Sequence, residues 1–210
     1  MRIVLPLALG TVISLLGTLL PGLLNMTAAR VSLRDGRKRA VIYCLGAVTV
    51  IFFQVYIAVS FAKFINRNPD IIDMLQEVGI GIFGLLTIYF LFIAKKPITK
   101  QEEEAVSVKS KTGRYFLGVL LSALNFFPIP FYVFISITLA SYGYFDFADP
   151  IFVLMFVLGG VIGAFVMLYL YVVFFKNFQN SLGFITRNIN FIIGGVTGLV
   201  AVITLIKLLK

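Results

Sequence analysis

The sequence has 210 residues, of which 60% are hydrophobic and only 13% charged, with a mean hydropathy of +1.03 and a net charge of +9. Soluble domains carry about 25% charged residues, so this composition excludes an ordinary soluble domain. The cations lie in short loops between apolar runs, where positive charge indicates membrane topology and not a nucleic-acid surface.

Six uncharged runs follow one another along the chain, and all reach the lower length limit of a membrane-spanning helix, the third only just. The first run is too long for the core of a signal peptide and no cleavage site follows it, so we expect it to be retained. The sequence therefore predicts an all-α integral membrane protein with six transmembrane helices, at residues 3–29, 40–62, 78–94, 115–145, 150–175 and 188–206.

The first run contains a helix breaker at Pro21-Gly22. Proline has no N–H to donate and clashes with the preceding turn, and glycine weakens the helix beside it. Ser14, Thr18 and Asn25 are spaced so that they share one face of this helix, on the same line as Pro21. The run is thus predicted to be a broken membrane helix with a polar stripe.

The fourth run repeats this arrangement, with prolines at Pro128 and Pro130. Two overlong, interrupted spans in corresponding places of two halves indicate a midplane binding site in transporters. Each break is expected to offer free N–H groups to a carboxylate. The alternative is two kinked helices whose polar side chains only bond to neighbouring helices. The polar residues of the fourth run also share one face: Ser122, Asn125, Tyr132 and Ser136.

Lysine and arginine counts predict the orientation of the spans, because cations concentrate in cytoplasmic loops. The first, third and fifth loops hold 13 of them and the other side holds 5, which places both termini outside. We expect a first half at 1–94, a polar cytoplasmic linker at 95–114, and a second half at 115–210. Because each half has three spans, homologous halves would form an inverted repeat. The outer loop 141–149 is expected to contribute an interfacial aromatic belt: Tyr142, Tyr144, Phe145 and Phe147.

The membrane interior lacks the residues that several functions require. No charged residue lies deep inside a span, the chain has no histidine, and Cys44 is its single cysteine. Proton relays, metal sites, thiol–disulfide carriers and intramembrane hydrolases need such groups. We therefore expect no enzyme activity, no catalytic residues, no bound metal and no cofactor.

Neutral polar groups and glycines remain on the other spans. Tyr43 and Gln54 share a face of the second span, and Gln54 is a candidate for the substrate pathway. Small residues at close spacing let helix backbones approach, so the third and sixth spans are predicted to pack as scaffold. The small-residue pairs are Gly81 with Gly84, Gly160 with Ala164, and Gly194 with Gly198.

Two stretches carry a resemblance to the lysine-exporter superfamily. The first is Pro21-Gly22 with Asn25-Met26, followed by the basic turn 34–40; the second is 116–118 with Leu124-Asn125 and Pro128. Leu23 stands where that family usually has a second proline, and no acidic residue lies in the second span. The resemblance implies a six-span bacterial inner-membrane exporter of amino acids or similar metabolites, driven by the proton gradient.

Together these features predict a secondary-active carrier that exports a small polar or zwitterionic solute, most simply an amino acid, from the cytoplasm. Its partners would be that solute and the lipid bilayer, with no nucleic acid, and a homodimer stays open. The alternative is a non-transporting membrane protein that assembles with or stabilises a partner. The candidate substrate-binding residues are Thr18, Pro21, Gly22, Asn25, Gln54, Asn125, Pro128 and Tyr132.

Overall fold

The computed structural model describes residues 3–19, 22–68, 84–85, 87–93 and 110–187, with positions 195, 198 and 202. For residues 90, 93 and 175–187 it describes the backbone and not the side chains. Pro21, most of the predicted third and sixth spans, and linker positions 95–109 lie outside the described residues. Within them, every regular element is a helix, as the sequence predicts.

Six α-helices have both ends within the described residues, and one short π-helical segment, Tyr89–Ile93, lies between the third and the fourth of them. The predicted first span consists of α1 and α2, and the predicted fourth span of α4 and α5. The bounds are α1 Val4–Gly17, α2 Leu23–Asp35, α3 Arg37–Arg67, α4 Lys111–Leu124, α5 Pro128–Ser141 and α6 Pro150–Arg187.

Local sequence explains several of these boundaries. Gly36 alone separates α2 from α3, with φ of +87°, a conformation that glycine adopts without a steric penalty. The Ser110 hydroxyl caps α4 by accepting a hydrogen bond from the Gly113 N–H at 2.9 Å. Asp149 caps α6 in the same way, because its Oδ1 accepts from the Ile151 N–H at 2.9 Å. Pro128 occupies the first turn of α5, where its missing N–H costs little.

Two helices of the described chain are long and apolar enough to cross a membrane, namely α3 and the Pro150–Phe174 part of α6. The pair α4 and α5 passes the same test together and is bent by 61° at its break. α1 is a shorter apolar helix. Large apolar side chains cover the outside of these helices, as a lipid environment requires, for example Phe53, Phe64, Phe134 and Leu154.

One helix boundary and the predicted aromatic belt differ from the sequence prediction. Helix α6 continues to Arg187, through the segment 176–187 that was assigned to a loop. Charged and amide residues in that segment favour water over lipid, but they do not break a helix. The aromatic belt is also only half right: Tyr142 and Tyr144 are exposed, whereas Phe145 and Phe147 are buried. Their rings pack against each other at a tilt of 48°, with centroids 4.7 Å apart, so both are part of the apolar core and not of the interface.

The chain forms two compact units, and each takes segments from both predicted halves. One unit comprises Met1–Asn66 and Val106–Gln179, which includes the predicted first, second, fourth and fifth spans. The other comprises Arg67–Ala105 and Asn180–Lys210, which includes the third and the sixth. In this second unit, a Cβ placed on Gly198 would lie 3.2 Å from the Thr87 methyl carbon, so these two segments touch closely.

Two glycine-lined helix crossings organise the larger unit. At the first, Gly10 of α1 faces α6, and a Cβ there would overlap the Phe156 carbonyl oxygen and lie 2.9 Å from the Gly160 nitrogen. At the second, Gly118 of α4 faces α3, and a Cβ would overlap the Tyr43 carbonyl oxygen and lie 2.8 Å from the Ala47 nitrogen. Such close backbone approach is the usual packing mode of membrane helices.

Candidate functional site

At the break in the first span, side chains from two other helices complete the open end of α1. The Asn25 amide of α2 donates to the Thr18 carbonyl at 2.7 Å. The Tyr171 hydroxyl of α6 donates to the Leu19 carbonyl at 2.8 Å and also interacts with Asn25. Because unpaired carbonyls are costly in a membrane, these contacts stabilise the break. Asn25 thus has a structural role at the first break.

The start of α2 keeps free hydrogen-bond donors. Gly22 precedes the helix in an extended conformation, and no side chain caps the first turn. Within the described chain, the N–H groups of Leu23 and Leu24 have no acceptor. N–H groups at a helix N-terminus, together with the helix dipole, attract anions. That the first break binds an anion stays a prediction.

At the break in the fourth span, one amide from α3 completes the open end of α4. The Gln54 Nε2 donates to the Ser122 carbonyl at 3.0 Å and to the Asn125 carbonyl at 2.8 Å. Gln54 is 6% exposed and Ser122 is fully buried. In the part of the chain that the structure describes, the Gln54 Oε1 and the Ser122 Oγ have no hydrogen-bond partner. Two buried oxygens beside a helix C-terminus make this break suited to a cation or a donor.

The start of α5 differs from the expectation that Pro128 would free N–H groups there. Pro128 and Pro130 have no N–H at all. The Ile129 N–H donates to the Phe126 carbonyl at 3.2 Å, and the Phe131 N–H donates to the Phe127 carbonyl at 3.3 Å. The first turn of α5 consequently presents no free donor to an anion. The two breaks are chemically different: donors remain at the first and acceptors remain at the fourth.

Asn125 and Tyr132 flank the fourth break on either side. Asn125 is half-buried at the end of α4, and within the described chain its side-chain amide forms no hydrogen bond. Tyr132 of α5 is buried, interacts with Ser14 of α1, and packs edge-on against Phe156 of α6. Tyr132 therefore connects α5 to the first and fifth spans.

The structure thus brings the predicted residues together in two groups. Thr18 and Asn25 meet at the first break, and Gln54 contacts the Asn125 backbone at the fourth. Pro128 is buried and Gly22 is exposed. Pro21 lies outside the described residues. That these residues bind substrate, and that the Asn25 and Asn125 side chains approach each other, stay predictions.

Sequence reasoning missed one pair of charged residues. Arg114 was assigned to the linker as a topology cation, but it lies in the first turns of α4, is fully buried, and forms an ion pair with Asp35 at the end of α2. A signal was present in the sequence. Arg114, Gly118 and Ser122 are spaced four residues apart and all face inward, so an arginine continues the buried face of the fourth span.

Apolar helices that cross a membrane, with polar groups gathered at two breaks, define the class of protein: a multi-pass α-helical membrane protein of the kind that builds transporters. The family model described as LysE type translocator matches residues 15–208, and the chain belongs to that family. The resemblance drawn from the sequence motifs is confirmed. Searches of curated proteins and of solved structures found no match.

Proposed function

We propose that this translocator is a secondary-active carrier that exports a small zwitterionic metabolite, an amino acid, from the bacterial cytoplasm. The observation that carries the proposal is the contrast between the two breaks. Within the described residues, the Leu23 and Leu24 N–H groups at the first break have no acceptor, whereas the Gln54 and Ser122 side-chain oxygens at the fourth break have no donor. A zwitterion presents one group of each kind.

In the proposed complex the substrate carboxylate binds the start of α2, where the helix dipole is positive. The substrate ammonium donates to Gln54 Oε1 and Ser122 Oγ near the end of α4, where the dipole is negative. The Asn125 amide supplies a further neutral hydrogen bond. Neither group then requires a charged side chain in the span, which agrees with the sequence of the chain.

The two glycine crossings support an inverted repeat of three plus three spans. Gly10 and Gly118 are 108 positions apart, and their contacts Phe156 and Tyr43 are 113 positions apart. The reciprocal contacts, Gly159 on Leu7 and Gly46 on Tyr115, repeat both offsets. The first span thus packs on the fifth as the fourth packs on the second. We propose that this symmetry underlies alternating access, as in other carriers built from inverted repeats.

The site residues follow this symmetry in part. Ser14 and Ser122 are also 108 positions apart, and both are buried. Each serine lies in the last turn of its helix before the break, four residues after Gly10 or Gly118 and so on the same helix face. We propose that the eight predicted residues act as the substrate site with Ser122 added: Thr18, Pro21, Gly22, Asn25, Gln54, Asn125, Pro128 and Tyr132.

Both termini are proposed to lie on the periplasmic side and the linker 95–114 in the cytoplasm. A membrane-impermeant thiol reagent applied from outside should label a cysteine introduced at Ser141 and should spare one introduced at Ser107. The native Cys44 is buried and serves as the internal background control. The reverse labelling pattern would invert the topology.

The function is tested by reconstitution. Purified protein in liposomes loaded with one unlabelled amino acid should accelerate uptake of the same labelled amino acid, for at least one member of a full panel. Gln54→Leu should reduce that exchange severalfold, because it removes the acceptor oxygen and leaves two carbonyls unpaired. Protein-free liposomes give the background. If no amino acid exchanges above background while the protein is folded, the proposed substrate class is wrong.

A further inference from the structure

The Asp35–Arg114 ion pair joins the second half of the first span to the first half of the fourth. Asp35 is the last residue of α2, and Arg114 lies near the start of α4 with none of its surface exposed. Arg39 lies 4.0 Å from the same carboxylate. Arg34 and Arg39 are both close enough to repel Arg114. The Asp35 carboxylate therefore pairs with two guanidinium groups, and a third, that of Arg34, lies near Arg114.

Asp35 is in an unusual place for an acidic residue. The C-terminus of a helix carries partial negative charge, so a carboxylate there lowers the stability of the helix. It is also the one acidic residue between positions 1 and 66 of the sequence. Gly36 already ends the helix by donating its N–H to the Ser32 carbonyl at 3.1 Å. What Asp35 supplies is a carboxylate for the buried Arg114.

We propose that Arg114 is a carboxylate-recognition site for the exported substrate, and that Asp35 occupies it as an internal substitute when substrate is absent. The inference rests on the proposed function and names a second site in the pathway, at the proposed cytoplasmic end. The guanidinium group of an arginine can bind any carboxylate, because its planar set of donors fits the two carboxylate oxygens. A substrate carboxylate can thus replace Asp35 without leaving the guanidinium buried and unpaired, which would be costly.

The position of Arg114 supports this role. Arg114, Gly118 and Ser122 lie along one buried face of α4, and Ser122 belongs to the fourth break. Eight residues of helix separate Arg114 from Ser122, a rise of about 12 Å. The substrate would bind Arg114 first, and because Gly118 packs directly against the α3 backbone, it could reach the break only once α3 and α4 separate. Release of Asp35 at the same step would free α2 from α4, so that substrate binding itself opens the proposed cytoplasmic end.

The test compares an amino acid that the wild-type protein exchanges with its carboxamide analogue. Binding is measured by the thermal unfolding midpoint of the detergent-solubilised protein, and transport by exchange in liposomes. We expect the acid to stabilise the wild type and the amide to have no effect. Asp35→Asn removes the internal competitor, so the acid should bind at least severalfold more tightly. Lys38→Gln, an exposed cation in the same turn, is the matched control and should behave as wild type.

Exchanging the charges of Asp35 and Arg114 distinguishes a role of Arg114 in substrate recognition from a purely structural role of the ion pair. The double variant Asp35→Arg with Arg114→Asp keeps an ion pair between α2 and α4 and should restore folded yield over Arg114→Gln. If Arg114 recognises substrate, the double variant still fails to transport the acid. Restored transport of the acid, or an unchanged affinity in Asp35→Asn, would overturn the proposal. If no amino acid is transported or bound by the wild type, the proposed function fails, and this inference fails with it.

Discussion

Gly10→Ala and Gly118→Ala are each expected to destabilise the folded protein by about 3 kcal/mol, near the upper end of the usual cost of overpacking. In both variants the new Cβ overlaps a backbone carbonyl oxygen, that of Phe156 or of Tyr43. Backbone cannot move aside as a flexible side chain can, so the two crossing helices must separate. Because each new Cβ meets the same kind of backbone atom at almost the same distance, the two losses should be similar. Thermal unfolding in detergent measures both.

Gly84→Ala is the matched control for these variants. Gly84 is helical, and a Cβ placed there meets no atom of the described residues within 4 Å, so alanine should leave stability equal or raise it by up to about 1 kcal/mol. Equal stability of all three variants would show that the glycine crossings are looser than the structure indicates. A large loss at Gly118 with none at Gly10 would argue against equivalent crossings in the two halves.

Asn125→Ala is expected to reduce transport severalfold while it leaves stability within about 1 kcal/mol of wild type. The physical reason is that the half-buried Asn125 side chain forms no hydrogen bond in the described chain, so its loss leaves no protein group unpaired. A lost substrate contact lowers affinity about tenfold for each 1.4 kcal/mol. Exchange in liposomes and thermal unfolding are measured on the same preparation.

Asn25→Ala provides the contrast. It removes the bond to the Thr18 carbonyl, so we expect a loss of stability of about 0.6–2 kcal/mol as well as reduced transport. Thr138→Ala is a control for both, because the exposed Thr138 hydroxyl bonds only within its own helix in the described chain. Full transport in Asn125→Ala would remove Asn125 from the substrate site, even if Gln54 stays in it.

The spans α3 and α6 could be predicted well because each contains a long, uninterrupted apolar run. A spanning helix of this kind is recognised by comparing the length of the run with the thickness of the bilayer. The break in the fourth span was also predictable, since proline chemistry is local. Its position shifted slightly: the gap lies at 125–127 and Pro128 already belongs to the next helix. Tertiary contacts decide which side chains bond to the carbonyls at such a break. Periodicity places Gln54 on one face of its helix, but it does not show which groups Gln54 contacts.

The roles of Asp35 and Arg114 could not be predicted from charge counting. A cation beside an apolar run indicates a cytoplasmic loop on average. For five of the six cations between 95 and 114, nothing contradicts that assignment. The sixth, Arg114, is buried because a carboxylate from a distant segment meets it. The burial of Phe145 and Phe147 has the same origin, since it depends on contacts with α6. Pairing between distant segments is the information that one sequence lacks.

The glycine crossings also bear on how the protein is made. Each crossing joins a helix that precedes the linker to a helix that follows it: α1 packs on α6, and α3 packs on α4. While the ribosome is still synthesising the linker, Gly10 and Gly46 have been inserted into the bilayer but their partner helices do not yet exist. Until the later helices are made, the surfaces at Gly10 and Gly46 therefore form two grooves that face lipid or the insertion machinery. Two half-length chains, expressed together, should find each other through these grooves, and either one alone should be a substrate for membrane proteases.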